Sequence, residues 1–351
     1  MTGTAFVIGA SGQIGRQAVR ALAADGWAVT AASRGGGADD GWPEGVRTVR
    51  VDREDTAALT AALGEGCDVL LDCVAYDGGH ARQLLSLADR IGSAVVISTG
   101  AVYQDERGRS FDTQEEPDGQ PRYPVPIPES NPTVPAGPAT YGTRKVELEQ
   151  TLLGAGDRLA PTLLRAGAVH GRHSPNPREL HFVKRALDGR RVRVLAYGGA
   201  SRFHPVHTSN LAELVRLAAR NPGTRVLNAG DPGVPTAAEI GAAVDAVLGR
   251  TSETVLVDGP PPEPTVGDHP WALAHPVIFD MTAARRELGY RPVTTYEQAL
   301  PDTVAWLVET LKDRDWRDAF PFVARLAESN GSPFDYAAED HWLSTQRLRR
   351  G

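Results

Sequence analysis

Tyr141 and Lys145 lie four residues apart in the stretch GPATYGTRKVELEQTLL, where a helix is predicted to begin. On one helical face, an ammonium one turn from a phenol favours the phenolate and lowers the phenol pKa, which is ordinarily near 10. Such a pair can transfer a proton to or from a substrate. A tyrosine and a lysine at this spacing also occur often by chance, so the interpretation depends on the elements around them.

The chain alternates strand patterns with helix patterns, which indicates βαβ units and a parallel sheet. We therefore predict an α/β fold, with a Rossmann-type doubly wound parallel sheet, a smaller C-terminal substrate lobe and a helical C-terminal appendage. A helix at 208–220 is expected to be capped by Thr208 or Ser209, and one near 236–249 by Thr236. The strands of the sheet are predicted at residues 4–8, 27–33, 46–52, 68–75, 93–99, 161–167 and 224–230.

Three glycines follow the first predicted strand in FVIGASGQIGR, at the start of a helix. Gly9 permits a tight turn, Gly12 lets the backbone approach a pyrophosphate, and Gly15 lets helix and strand pack closely. The free N–H groups and the positive end of the helix dipole can then bind the anion. In a strand–turn–helix unit this pattern predicts a dinucleotide-binding loop.

The end of the second strand indicates which dinucleotide binds. A carboxylate there would bind both ribose hydroxyls of NAD, but Ser33 stands at that position and Arg34 follows it. A guanidinium can bind a 2′-phosphate in bidentate fashion, which favours NADP, with NAD as the alternative. Asp52, after the third strand, is expected either to bond the adenine amino group or to cap a helix.

In this order, the motifs GASGQIG, STGAVY and YGTRK resemble the short-chain dehydrogenase/reductase superfamily, and most of all its extended or atypical NAD-dependent epimerase/dehydratase group. The resemblance covers roughly residues 1–310. The short region between the fourth and fifth strands is similar to the atypical branch that contains chloroplast stem-loop RNA-binding proteins. The resemblance implies that Tyr141 is the acid/base, that Lys145 bonds the nicotinamide ribose, and that Thr99 orients the substrate oxygen.

The same reasoning gives the residues expected at the cofactor and at the substrate. The expected cofactor-binding residues are Gly9, Ser11, Gly12, Gln13, Ile14, Gly15, Ser33, Arg34, Asp52, Arg53, Cys73, Val74, Ala75, Tyr141 and Lys145. The expected substrate residues are Tyr76, His80, Tyr103, His170, Arg202 and His204. The histidine spacings fit no compact metal-ligand motif, so no metal is expected.

Departures from the family pattern reduce the number of reactions that we expect of this chain. Dehydratases of the group carry an Asp–Glu pair where Gly100 and Ala101 stand here, which disfavours sugar dehydration. Nucleotide-sugar enzymes usually have an asparagine at the position of Ala168 and an arginine at that of Phe203. We therefore expect an NAD(P)-dependent reductase of a small carbonyl substrate. The alternatives are a sugar or sugar-nucleotide epimerase and a non-catalytic NAD(P)-binding or RNA-binding regulator.

The length, net charge and cysteine content of the chain argue against several other classes of protein. The chain has 351 residues and a formal net charge of −7, so nucleic acid is an unexpected partner. The two cysteines indicate buried thiols, and neither a signal peptide nor a membrane span is expected, which favours a cytoplasmic protein. The sequence does not decide whether the protein forms a homodimer. The proline-rich segment 115–138 is either an ordered loop or a mobile linker. The expected domains are a Rossmann domain at 1–165 with contributions from about 203–230, a substrate lobe at 166–310 and a helical extension at 311–351.

Overall fold

The structure, a computed structural model, describes residues 3–37, 39 and 41–350, of which 347–350 are described by their backbone alone. The chain divides into two compact units. The first comprises the residues up to 169 together with 205–232 and 279–294, and the second comprises 170–204, 233–278 and the residues from 295 onward. The three-part division expected from the sequence stays a prediction.

Strands and helices alternate along most of the chain. The strands are β1 (Gly3–Ile8), β2 (Trp27–Ser33), β3 (Arg47–Arg50), β4 (Cys67–Asp72), β5 (Ile91–Thr99), β6 (Pro161–Ala166), β7 (Ala168–His170), β8 (Val192–Leu195), β9 (Pro205–His207), β10 (Arg225–Ala229) and β11 (Glu253–Leu256). The helices are α1 (Gln13–Ala24), α2 (Thr56–Leu63), α3 (Gly78–Ser86), α4 (Tyr141–Leu153), α5 (Leu180–Leu187), α6 (Thr208–Arg220), α7 (Ala237–Val247), α8 (Thr282–Leu288), α9 (Tyr296–Leu311), α10 (Trp316–Ala319), α11 (Pro321–Asn330) and α12 (Tyr336–Arg350).

The first unit is built on a seven-stranded sheet in the order β10-β6-β5-β4-β1-β2-β3. Every neighbouring pair in this sheet is parallel. The strand order reverses between β1 and β4, and in open α/β sheets ligands bind beyond the carboxyl ends of the strands at such a point. The predicted Rossmann-type fold is therefore confirmed, and all seven predicted strands of the sheet are present.

The helix caps follow the prediction in one case and depart from it in another. Thr236 caps α7, and its side chain accepts a hydrogen bond from the Glu239 amide, as predicted. The cap expected for α6 is wrong, because His207 occupies that position and its Nδ1 accepts from the Ser209 amide at 3.2 Å. An imidazole nitrogen thus accepts the capping hydrogen bond that a hydroxyl or carboxylate oxygen usually accepts.

The proline-rich segment packs on the first unit, which favours the ordered-loop interpretation. Ile127 is fully buried, and its carbonyl accepts from the Asp280 amide at 2.8 Å. The Tyr123 hydroxyl donates to the Tyr103 carbonyl at 3.1 Å. This backbone is neither helix nor strand of the main sheet, in line with its proline content.

The second unit has its own core, in which Trp271 stacks on Phe182 with ring centroids 5.6 Å apart. The predicted C-terminal appendage is helical and consists of α10, α11 and α12. Glu339 on α12 is 1% exposed and forms ion pairs with Arg185 at 2.7 Å and Arg190 at 3.0 Å. None of the helices in the described ranges is long and apolar enough to cross a membrane.

Candidate functional site

The glycine turn after β1 has the close contacts that its sequence predicts. Gly9 has a φ of +80°, which a residue with a side chain rarely adopts. A Cβ on Gly15 would lie 2.3 Å from the Gly9 carbonyl oxygen, so only glycine lets α1 start this close to β1. No side chain among the described residues caps α1, whose first residue follows Gly12. The start of α1 therefore offers backbone N–H groups and a helix dipole to an anion.

Ser33 and Arg34 lie at the carboxyl end of β2, beside the glycine turn. The Ser33 hydroxyl accepts a hydrogen bond from the Gly36 amide at 3.1 Å, which shapes the turn after the strand. Arg34 is exposed and lines the same cavity as Gly9 and Gly12. A neutral hydroxyl followed by a guanidinium thus occupies the place at which a carboxylate would select NAD.

Asp52 and Arg53 follow β3 and also line this cavity. The Asp52 carboxylate accepts from the Glu54 amide at 3.1 Å, whereas Asp55 caps α2, so the helix-cap alternative for Asp52 is wrong. Arg53 is 6% exposed and forms an ion pair with Asp72, which is fully buried at the end of β4. Two of its guanidinium nitrogens, Nε and Nη1, have no hydrogen-bond partner within the described part of the chain.

The backbone turn after β4 is held by three side chains from different elements. The Val74 amide donates to Asp72 Oδ1 at 2.9 Å, Lys145 Nζ donates to the Ala75 carbonyl at 2.6 Å, and the Tyr76 amide donates to His80 Nδ1 at 2.8 Å. Because Nδ1 of His80 accepts, its ring proton lies on Nε2, which faces the Glu54 carboxylate at 2.8 Å. Sequence reasoning missed Asp72 and Glu54, although a carboxylate in the apolar run DVLLDCVA marks the first of them.

Lys145 is 3% exposed and lies on the first turns of α4. Besides the Ala75 carbonyl, its Nζ donates to the Ile97 carbonyl at 2.8 Å, and it lies 5.3 Å from the centre of the Tyr76 ring. Burial lowers the pKa of Lys145 from 10.5 to about 8, although Asp72 raises it. An ammonium has three donors, so one remains for a further acceptor.

Tyr141 is the first residue of α4, and 41% of it is exposed. Its ring centre is 5.8 Å from Lys145 Nζ and 6.5 Å from the centre of the Tyr76 ring. Although 41% of the residue is exposed, desolvation around the hydroxyl raises the pKa of Tyr141 to about 12, while Thr99 acts in the opposite direction. The net shift of this pKa is therefore upward, opposite to the predicted lowering, and the effect of Lys145 on the phenol stays a prediction.

The structure brings most of the predicted cofactor residues to one cavity of about 450 Å³ in the first unit. Gln13, Ile14 and Gly15 form the first turn of α1 beside it. Cys73 is a half-buried free thiol whose pKa is raised by burial, and Cys67 is likewise half-buried rather than fully buried. The predicted residues that line the cavity are Gly9, Ser11, Gly12, Ser33, Arg34, Asp52, Arg53, Val74 and Tyr76.

Tyr103, expected at the substrate, is fully buried, and its hydroxyl donates to Asn228 Oδ1 at 2.6 Å. The Arg165 guanidinium lies 4.8 Å from the centre of its ring and forms a buried ion pair with Glu149 at 2.6 Å. Ser98, next to Thr99, donates to the same carboxylate at 2.5 Å. This placement favours a structural role for Tyr103.

The other expected substrate residues, His170, Arg202 and His204, belong to the second unit. His170 is buried with its ring centre 4.6 Å from that of Tyr296. Arg202 donates to the Val234 carbonyl, and the buried His204 donates its amide to the Val277 carbonyl at 2.8 Å. Across the described ranges, no group of three or more His, Cys, Asp or Glu side chains is arranged to hold a metal ion.

Comparison with known proteins identifies relatives of several activities. The family model for the NAD dependent epimerase/dehydratase family matches residues 5–230. The 2′-dehydrokanamycin reductase of Streptomyces kanamyceticus is 30% identical over 238 residues, 62% of this chain and 62% of that protein. The chain thus spans about six tenths of that curated relative.

Solved structures show the same fold at low identity. The UDP-glucose 4-epimerase of Thermotoga maritima with UDP-glucose has a TM-score of 0.66 and 20% identity, covering 88% of this chain and 99% of that one. The dTDP-glucose 4,6-dehydratase of Bacillus anthracis in complex with NAD has a TM-score of 0.65 and 18% identity, covering 88% of this chain and 97% of that one. At such identities the likeness establishes the fold and leaves the reaction to the residues of the site.

Proposed function

The chain belongs to the NAD dependent epimerase/dehydratase family, and from that premise we propose that it is an NADP-dependent reductase of a small carbonyl compound. The observation that carries the proposal is the position of Tyr141, a phenol at the first residue of α4 whose ring centre lies 5.8 Å from the Lys145 ammonium. A protonated phenol can donate to a carbonyl oxygen, whereas oxidation of an alcohol, with which epimerisation would begin, needs a base. The named activity of the Streptomyces kanamyceticus relative, a reductase, agrees with this direction.

The residues of the first unit fit a phosphorylated dinucleotide. The glycine turn and the start of α1 would hold the pyrophosphate, where a Cβ on Gly9 would meet Val74 at 2.9 Å. Arg34 and the hydroxyl of Ser33 would face the 2′-phosphate, which a carboxylate at that place would repel. Asp52 and Arg53 would lie at the adenine end of the cavity. NAD, the cofactor in several structural relatives, stays the alternative.

When bound beside Lys145, a reduced nicotinamide would supply the hydride that the carbonyl carbon takes up in the proposed reaction. Tyr141 donates its proton to the carbonyl oxygen, and Thr99 holds that oxygen by a hydrogen bond. Lys145, held by the carbonyls of Ala75 and Ile97, has one donor left to orient a ribose hydroxyl. The Lys145 ammonium lies 5.8 Å from the centre of the phenol ring and would stabilise the negative charge of the phenolate that proton donation leaves.

A Tyr141→Phe variant tests the proposal. The change removes the proton donor and leaves the cavity walls in place, so we expect the rate of NADPH oxidation to fall by roughly 10²- to 10⁴-fold while NADPH affinity is retained. The assay would follow NADPH absorbance with a panel of aldehydes, ketones and keto-sugars. Tyr290→Phe is the matched control, since within the described residues its hydroxyl makes only a long contact of 3.4 Å with the Gly230 carbonyl. Turnover that survives Tyr141→Phe would contradict the mechanism.

A Ser33→Asp variant tests the cofactor preference separately. The new carboxylate would repel a 2′-phosphate and accept bonds from ribose hydroxyls. We expect the ratio of NADPH to NADH affinity to fall by about tenfold or more, which corresponds to about 1.4 kcal/mol. Wild-type protein that already binds both cofactors equally would show that Arg34 does not select the phosphate. Cofactor retained through purification, with no need for added NADPH, would instead favour the epimerase alternative.

A further inference from the structure

The second unit contains a cavity of about 260 Å³ that the proposed reaction does not use. Its polar lining includes Arg178, which precedes α5, His181 in the first turn of α5, and His269. Asp268 also lines the cavity, and its carboxylate accepts from the His269 amide at 2.9 Å. The facing residues Leu326 and Ala327 come from α11, in the C-terminal region beyond the residues 5–230 that match the family model. The cavity is therefore partly built from a segment that the family match does not include.

His181 is a buried polar side chain without a partner. It is 2% exposed, and neither Nδ1 nor Nε2 has a hydrogen-bond partner among the residues that the structure describes. Buried polar atoms in proteins are nearly always paired, so an unpaired imidazole in a cavity wall indicates a ligand. Burial lowers the pKa of His181 well below its usual value, so the ring is neutral and offers one donor and one acceptor.

His269 lies next to it, with ring centres 6.3 Å apart. Its Nδ1 accepts from the Trp271 amide at 3.3 Å, which places the ring proton on Nε2. Within the described residues, Nε2 makes no hydrogen bond of its own. Burial lowers the pKa of His269 to about 4, although the nearby Ala196 carbonyl acts in the opposite direction. A second neutral donor thus accompanies His181.

Arg178 adds a positive charge to this wall. Its guanidinium lies 5.1 Å from the centre of the Phe203 ring, and burial lowers its pKa. The adjacent Glu179 carboxylate raises this pKa, although it forms no close ion pair with Arg178 among the described residues and accepts from the Tyr296 hydroxyl at 2.8 Å. Guanidinium remains charged in proteins, so Arg178 can bind an anion that enters the cavity.

We propose that this cavity binds a small organic oxyanion, a carboxylate or phosphate carried on a short apolar body. Arg178 binds the oxyanion, and the two histidines hydrogen-bond to its oxygens or to a neighbouring polar group. Leu326 and Ala327 contact the apolar body. This site goes beyond the proposed reductase function, and its test needs no turnover, so either proposal can fail without the other.

The test is a titration of the full chain with benzoate and with phenyl phosphate, followed by calorimetry and by ¹⁵N NMR of the histidine rings. Benzyl alcohol, which has the same apolar body without a charge, is the control probe. We expect at least one anion to bind and to shift the ring nitrogens of His181 and His269. The two anions distinguish a carboxylate site from a phosphate site.

A variant of Arg178 and a matched control variant give a second test of the proposal. We expect Arg178→Gln to weaken anion binding by about tenfold or more, because it removes the charge and the bidentate donor pair. Arg172→Gln, which removes a half-exposed arginine paired with Asp302, should leave binding unchanged. The NMR titration of the unaltered chain decides the question if Arg178→Gln does not fold. Binding of benzyl alcohol equal to that of the anions, unchanged affinity in a folded Arg178→Gln variant, or no binding of either anion at millimolar concentration would overturn the proposal.

Discussion

Lys145 is a buried cation in the first unit, and its burial destabilises the charged form of the side chain. Burial lowers the pKa of its ammonium from 10.5 to about 8. Between these two values the unfolded chain carries a proton that the folded chain has lost, so the free energy of unfolding rises with pH across this window. Below pH 8 both states are protonated and the whole penalty is present.

The magnitude follows from the two pKa values. The full penalty is about 3 kcal/mol, since one pKa unit corresponds to about 1.4 kcal/mol. Lys145→Met removes the titrating group. Relative to this variant, the wild-type protein should gain about 1.4 kcal/mol of stability from low pH to pH 9 and about 2.5 kcal/mol by pH 10. The donors to Ala75 and Ile97 are lost in the variant at every pH, which adds a nearly constant offset.

The assay is urea denaturation of both proteins between pH 7 and pH 10, followed by circular dichroism. Tyrosine and cysteine groups that titrate in this range are common to both proteins and cancel in the difference. Lys312→Met, which removes an exposed lysine, is the control for the loss of one positive charge. A stability difference between wild type and Lys145→Met that stays flat across this range would refute the reasoning.

Two further predictions concern packing. Gly15→Ala should destabilise the protein by about 1–3 kcal/mol and abolish dinucleotide binding, because its Cβ would lie 2.3 Å from the Gly9 carbonyl oxygen. Gly37→Ala, with open space around it, should change neither thermal stability nor NADPH affinity by a measurable amount. Glu339→Ala should cost about 3–5 kcal/mol in urea denaturation, since it leaves buried Arg185 without its carboxylate. An Asp340→Ala control removes a 60% exposed partner and should cost about 1 kcal/mol or less, so equal losses in the two variants would contradict this account.

The sheet was predictable because most of its strands are short apolar runs between turn residues. The glycine turn was predictable for a related reason, since close backbone contacts at Gly9 and Gly15 can be made by glycine alone. Both features depend on residues that are close together in the sequence. The cap of α6 was missed because His207 uses a nitrogen in place of the usual oxygen.

Contacts between distant residues were not predictable from the sequence. Arg53 follows β3 and Asp72 is the last residue of β4, and only the order of the sheet places them together. The pKa of Tyr141 was predicted in the wrong direction because burial of the phenol outweighs other effects in the structure. The spacing to Lys145 gave the correct helix face and contained no information about that burial.

The turn from Val74 to Tyr76 has a consequence for engineering. Its three successive backbone bonds depend on side chains from the end of β4, from α4 and from α3. A loop taken from a homologue and grafted here without Asp72, Lys145 and His80 would lose the donors and acceptors that fix its path. A grafted loop should therefore keep its conformation only when the turn, the end of β4, α3 and α4 are exchanged together.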